Sequence, residues 1–187
     1  VWNNALCSFF AVSSDKRSVA LLNEGLSKAL GNEEVSTVVE PCPALSPLSD
    51  NLPTNLPDKL SERETRLFEM LQAVTVLPSP PLNTMSTEVL TLTSFIEQYG
   101  QLDSADMHIY ELDLANQLFA YELRFEDARA YVMYNFSFDT HPLPLPLGFM
   151  ASTKVTLYRT DNPTFERFVT SGPLSITYHS AVVVIVD

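Results

Sequence analysis

The segment GPLSITYHSAVVVIVD, residues 172–187, opens with a Gly-Pro turn pair and then alternates. Leu174, Ile176 and Tyr178 share one face, and Ser175, Thr177 and His179 share the other. After Ser180 the alternation stops and Ala181 to Val186 are apolar throughout. A strand that is apolar on both faces sits inside a covered sheet or beneath another chain. Two-residue periodicity also marks MHIYELDL, with His108, Tyr110, Leu112 and Leu114 together. LFAYELRF places Phe119, Tyr121, Leu123 and Phe125 on one side. ARAYVMYNFSF does the same for Ala130, Val132, Tyr134, Phe136 and Phe138. STKVTLYRT and PTFERFVT predict shorter strands.

Before this β-rich part the period is different. Val19, Leu22, Leu26 and Leu30 follow one another at three- and four-residue spacing, with Ser14 as N-cap and Gly31 as C-cap glycine, which predicts a helix. SERETRLFEMLQAV predicts another, with Ser61 and Glu64 as a capping box and Leu67, Phe68, Leu71 and Val74 on its apolar side. ALCSFFAV (residues 5–12) reads as a short buried strand or apolar arm, and VSTVVE (residues 35–40) as a strand. STEVLTLTSFIEQYG fits either state, since its threonines favour a strand while Val89, Leu92, Ile96 and Tyr99 keep helical spacing.

Prolines divide these regions. Five fall between Pro41 and Pro57, and PSPP follows at residues 78–81. Proline fixes φ and lacks a donor, so both stretches are loop or extended linker. HPLPLPLGF alternates Pro142, Pro144 and Pro146 with Leu143, Leu145 and Leu147. It cannot be a central strand. It either packs along a sheet edge or docks in a partner's groove. The expected organisation is a single domain, residues 1–187, with a mixed helix and strand part (1–83, proline-rich loop 41–59) and a β-rich part (84–187). The expected class is mainly β with helical insertions, an antiparallel β-sandwich of jelly-roll-like form; a two-layer α+β sandwich is the alternative.

Composition narrows the functions. Net charge is −12, with 11 basic against 23 acidic residues, and Lys16-Arg17 is the only adjacent basic pair. No clustered positive surface is available for phosphates, so direct nucleic-acid binding and anionic membranes are disfavoured. No apolar run approaches the ~20 residues of a membrane span. The chain starts at Val1, which fits a cleaved signal, release from a polyprotein, or trimming equally. Cys7 and Cys42 allow one disulfide and are expected as buried thiols. The glycosylation sequon Asn135-Phe136-Ser137 falls in a predicted strand and reads as chance.

Neither phosphate-loop nor zinc-site spacing occurs, and no cofactor, metal or catalytic residue is expected. His108, His141 and His179 lie far apart, and a dispersed enzyme site would need two of them, or one with a carboxylate, to converge. Asp103 with Asp106, and Glu126 with Asp127, read as solvated turns rather than calcium ligands.

FVTSGPLSITYHSAVVVIVD resembles the last jelly-roll strand of small positive-strand RNA-virus capsid proteins. LTSFIEQYGQLDS looks like the entry to the early strands of picornavirus-like subunits, and FAYELRFEDARAYVMYNFSF is similar in rhythm to their paired central strands. The part after Pro81 is short for eight such strands, and the basic arm of many capsid proteins is missing. The resemblance implies a structural subunit rather than an enzyme, located in the virion and packing against copies of itself or sister capsid subunits. The contact residues expected are Pro53, Pro57, Leu143, Leu145, Leu147, Val182, Val184 and Val186. The alternatives are a monomeric α+β ligand- or protein-binding module and a secreted receptor-binding sandwich.

Overall fold

A computed structural model describes residues 2–12, 16–31, 63, 67, 70–71, 87–100, 105–110, 113, 115–143, 145–146, 149, 155–162, 164–168 and 174–187. The elements are helices α1 (Trp2–Ala11), α2 (Val19–Gly31) and α3 (Thr87–Ile96). The strands are β1 (Asp106–Ile109), β2 (Leu118–Arg124), β3 (Arg129–Asn135), β4 (His141–Pro142), β5 (Val155–Arg159), β6 (Phe165–Phe168), β7 (Ser175–Ile176) and β8 (Ser180–Val186). Six strands form one antiparallel sheet in the order β1-β2-β3-β8-β5-β6, and β4 pairs with β7 in a second small sheet. The chain therefore has the expected mainly β, antiparallel, sandwich-like architecture with helical insertions.

The closing segment is two elements, not one strand. Ser175 and Ile176 belong to the small sheet, and residues 178–179 turn the chain into β8. β8 is central, pairing Tyr131 with Val184 on one side and Leu157 with Val184 on the other. Ala181, Val183 and Ile185 face one core, and Val182 and Val184 face a second, with Val186 packed against it. Its uniform apolarity follows from cover on both sides.

The first core lies between the sheet and the helices. Phe119, Tyr121, Val132 and Tyr134 meet Leu6, Phe9, Phe10, Leu22, Leu26, Leu92 and Ile96 there, together with the helical residues Leu67, Met70 and Leu71. The stretch 5–12, expected as a strand or arm, is helical through Ala11. Leu6, Phe9 and Phe10 recur at three- and four-residue spacing, and all are buried. Arg17 fixes this helix end: its Nε donates to Val12 O at 3.1 Å and its guanidinium lies 5.0 Å from the Phe10 ring centre. A cation at the C-terminal end of a helix satisfies carbonyls that have no further turn to accept from. The ambiguous segment around residue 90 is helix α3, in which Thr91 Oγ1 bonds back to Thr87 O at 2.8 Å and so accommodates its β-branched side chain. The predicted strand at residues 35–40, the N-cap Ser14 and Cys42 lie outside the described residues.

The second core contains Leu118, Ala120, Tyr131, Met133, Val155 and Leu157, closed by Leu143, Phe149 and Ile176 from the connecting segments and the small sheet. Among the described residues no helix is long and apolar enough to cross a membrane.

One polar pair sits inside the first core. Tyr121 and Tyr134 are both fully buried, and their hydroxyls meet at 3.0 Å. Burial pushes both phenols far above their ordinary pKa, so both stay neutral. Replacing either Tyr with Phe leaves the other hydroxyl without its partner, at about 1–3 kcal/mol; replacing both is expected to be nearly neutral. Urea unfolding of Tyr121→Phe, Tyr134→Phe and the double variant checks this, and two additive single losses would contradict it.

Candidate functional site

β3 leaves the core at Asn135, whose side chain is fully buried. Its amide nitrogen donates to Asp139 O at 2.7 Å, Thr177 O at 2.9 Å and Ile176 O at 3.4 Å. Its Oδ1 accepts from the Ser137 backbone N–H at 2.9 Å and the Ser137 hydroxyl at 2.7 Å. One side chain thus ties the loop after β3 to the turn before β8. The tie continues outward. Thr177 Oγ1 donates to Asp161 Oδ2 at 2.6 Å, and Asp161 receives Arg159 Nε and Nη2 at 3.0 and 3.1 Å. The Arg159 contact holds the Asp161 carboxyl below its ordinary pKa, with the Thr177 hydroxyl assisting against burial.

The two loops held this way carry aromatic rings into solvent. Phe138 is 62% exposed and Tyr178 46%. The His179 ring lies 4.8 Å from the Phe138 ring and 6.3 Å from that of its neighbour Tyr178. His179 has φ of 43°, and its N–H donates to Ser137 O at 3.3 Å. Arg63 lies over the Tyr178 ring at 4.4 Å and donates to Tyr178 O at 3.1 Å.

A second polar cluster lies at the β1–β2–β3 end of the sheet. Glu122 is buried, and its Oε2 accepts from Tyr110 Oη at 2.6 Å and Arg124 Nη2 at 3.1 Å. Arg129 Nη1 is 3.6 Å from Oε1, with its guanidinium over Phe149. Burial pushes the Glu122 pKa up, but the Tyr110 hydroxyl and the two arginines outweigh it and hold the carboxyl below its ordinary value. Burial and this contact push Tyr110 up to about 12. The cluster surrounds a buried carboxyl with donors that favour its charged form.

The predicted contact residues separate. Leu143, Val182 and Val184 are buried in the second core, and Leu145 and Val186 are half-buried against it. Val182, Val184 and Val186 pack within the chain as central-strand residues. Pro53, Pro57 and Leu147 lie outside the described residues. His141 and His179 converge on Ser137, the former through Nε2 at 2.9 Å from Ser137 Oγ, whereas His108 stands beside Tyr110 on β1. The Ser137 hydroxyl also lies 2.7 Å from Asn135 Oδ1 and 3.3 Å from Asp139 O, and His179 reaches Ser137 through its backbone N–H rather than its ring. The sequon asparagine is spent inside the fold, which agrees with its reading as chance. Glu126 and Asp127 are exposed in the β2–β3 turn, and no group of metal-ligating side chains occurs among the described residues. What the sequence pattern missed is that Phe138 and Tyr178, patterned for the core, face solvent.

No protein-family model matches the chain, and no curated protein matches it. Solved structures do. An Anoxybacillus α-amylase matches over 99% of this chain and 45% of its own, at TM-score 0.63 and 12% identity. AmyP E221Q in complex with maltotriose matches over 99% and 49%, at 0.61 and 10%. The Geobacillus thermoleovorans α-amylase complexed with acarbose matches over 100% and 47%, at 0.60 and 10%. At these identities the likeness is one of fold. The chain spans about half the length of these enzymes. The capsid-subunit function drawn from the sequence is overturned: the structures that match essentially the whole chain include α-amylases and a cyclomaltodextrin glucanotransferase.

Two outcomes are expected of the loop network. Asn135→Ala removes five side-chain hydrogen bonds and is expected to cost about 3–5 kcal/mol, at roughly 0.5–1 kcal/mol for each bond lost. Urea unfolding measures it, and a loss under ~1 kcal/mol would show the hub to be dispensable. For Asp161 the folded-state pKa is depressed, so its contribution is present above the unfolded value of about 3.9 and disappears as pH falls through the folded value. Asp161→Asn is therefore less stable than the parent at pH 7, and the gap narrows below about pH 4. Thermal melts across that range check the sign.

Proposed function

We propose that the chain is a non-catalytic, carbohydrate-binding β-module of a starch-active enzyme. The observation that carries this reading is the match of essentially the whole chain to about half of several amylases. A module that accompanies a catalytic body accounts for a match of that shape better than a complete enzyme does. The ligand-binding alternative from the sequence is kept in this form, with the ligand class now specified.

The absence of catalysis in this reading has chemical support. Glycoside hydrolysis uses paired carboxyl groups, one of them with a raised pKa so that it can protonate the leaving oxygen. The described carboxyls with a displaced pKa, Glu24, Glu122 and Asp161, are all displaced downward by a cationic or hydroxyl partner. Glu122 and Asp161, the two that are held by several partners, serve as anchors. The acidic surface also goes with a neutral ligand rather than a nucleic acid. An extracellular location, the alternative expected from the sequence, fits a polymeric ligand met outside the cell.

Native electrophoresis through gels containing amylopectin tests the binding half, and a reducing-sugar assay on soluble starch tests the other. The chain is expected to migrate more slowly with the polymer present and to release no reducing ends. Unchanged migration would sink the binding claim, and sustained release would make the chain an enzyme.

A further inference from the structure

The geometry points to a surface site for a neutral, α-linked oligosaccharide on the Phe138–His179–Tyr178 face, a specification that rests on the carbohydrate-binding reading above. The first support is that both rings stand where their sequence pattern does not put them. Phe138 is in step with buried Tyr134 and Phe136, and Tyr178 with buried Ile176, yet both open to water. Local pattern and final position disagree where some requirement other than packing governs. Here the chain ends β3 at Asn135 and turns at His179 with positive φ, a conformation uncommon for a residue with a β-carbon.

The second support is rigidity. An exposed ring on a loose loop loses freedom on binding, which weakens the complex. These rings are on loops held by the fully buried Asn135 amide and the His179 N–H. Arg63 lies 4.4 Å over the Tyr178 ring, which remains 46% exposed.

The third support is size and polarity. Aromatic side chains present about 150–250 Å² each, so the two rings at their exposures offer on the order of 200 Å². A stable protein partner needs roughly 800 Å² on each side. One or two sugar rings match the smaller figure. A pyranose has an apolar C–H face for a ring and hydroxyls around its edge. The exposed Asp139 and Thr140 and the half-buried Thr177 border the aromatic surface and can meet those hydroxyls.

Maltotriose is the probe. Titration followed in the aromatic region of the NMR spectrum is expected to shift the Phe138 and Tyr178 ring signals. Phe138→Ala and Tyr178→Ala should each weaken maltotriose binding about tenfold, the scale of one lost ring contact. Leu21→Ser, at an exposed apolar position on α2, should leave it unchanged. If an alanine variant fails to fold, Phe138→Leu and Tyr178→Leu keep apolar volume without a flat ring and should weaken binding as well. Retained binding in folded ring variants would overturn this site while leaving the proposed function intact. No binding by the unaltered chain to maltotriose or amylopectin would overturn both. Concentration-dependent self-association abolished by Tyr178→Ala, without any sugar shift, would identify the face as a protein contact and overturn the site.

Discussion

The structure depends on a strand that must be covered twice. β8 lies between β3 and β5 and presents apolar side chains to both sides of the sheet. Each valine or isoleucine buried there contributes about 1.5–3 kcal/mol relative to exposure, so leaving either face open would forfeit much of a domain's net stability. One face is closed by helices and the other by residues that include Leu143, Phe149 and, from the small sheet, Ile176. The helical layer supplies large rings and leucines at helical spacing. The second layer uses Leu143, Phe149 and Ile176, delivered by a proline-rich stretch and a strand pair only two residues long.

That second layer cannot be held by a long ladder, so side-chain hydrogen bonds hold it. Asn135 occupies a position where a strand would otherwise continue and uses its amide to bond three carbonyls from two other segments. Asp161 and Arg159 extend the connection from β5 to Thr177 and Ser175. These polar groups are costly to bury unless satisfied, and once satisfied they define one arrangement of the loops.

Much of this was legible in the sequence where pattern and environment agree. β2, β3, β5 and β8 follow alternation or uniform apolarity because their partners are neighbouring strands of one covered sheet. The α2 helix was readable from its leucine spacing. Residues 5–12 were not, because a short run of apolar residues fits a strand as well as a helix, and only packing of Phe9 and Phe10 against Phe136 decides between them. The junction at residues 178–179 was also hidden: alternation carries straight through it, and the turn arises from long-range bonds to Asn135 and Ser137. The candidate site lies at that junction. Its residues looked like core because periodicity records side-chain type, not the point at which a strand ends. The capsid reading failed for a related reason, since alternating strand patterns are shared by every covered antiparallel sheet, whatever the sheet is for.

The two polar clusters differ in what they can do. Glu122 is surrounded by donors that favour its charged form, and its aromatic neighbours Tyr131 and Phe149 are themselves buried, so that end of the sheet is closed by its own contacts. The Asn135 cluster instead spends its hydrogen bonds on backbone carbonyls and leaves the neighbouring rings uncovered. A fold that needed only stability would have little reason to place Phe138 and Tyr178 in water after fixing their loops so firmly. Buried polar order beneath exposed aromatic surface is an arrangement in which the ordering cost is met during folding and is not met again when a ligand arrives. The same amide that bonds the Ile176 and Thr177 carbonyls also holds the loop that carries Phe138.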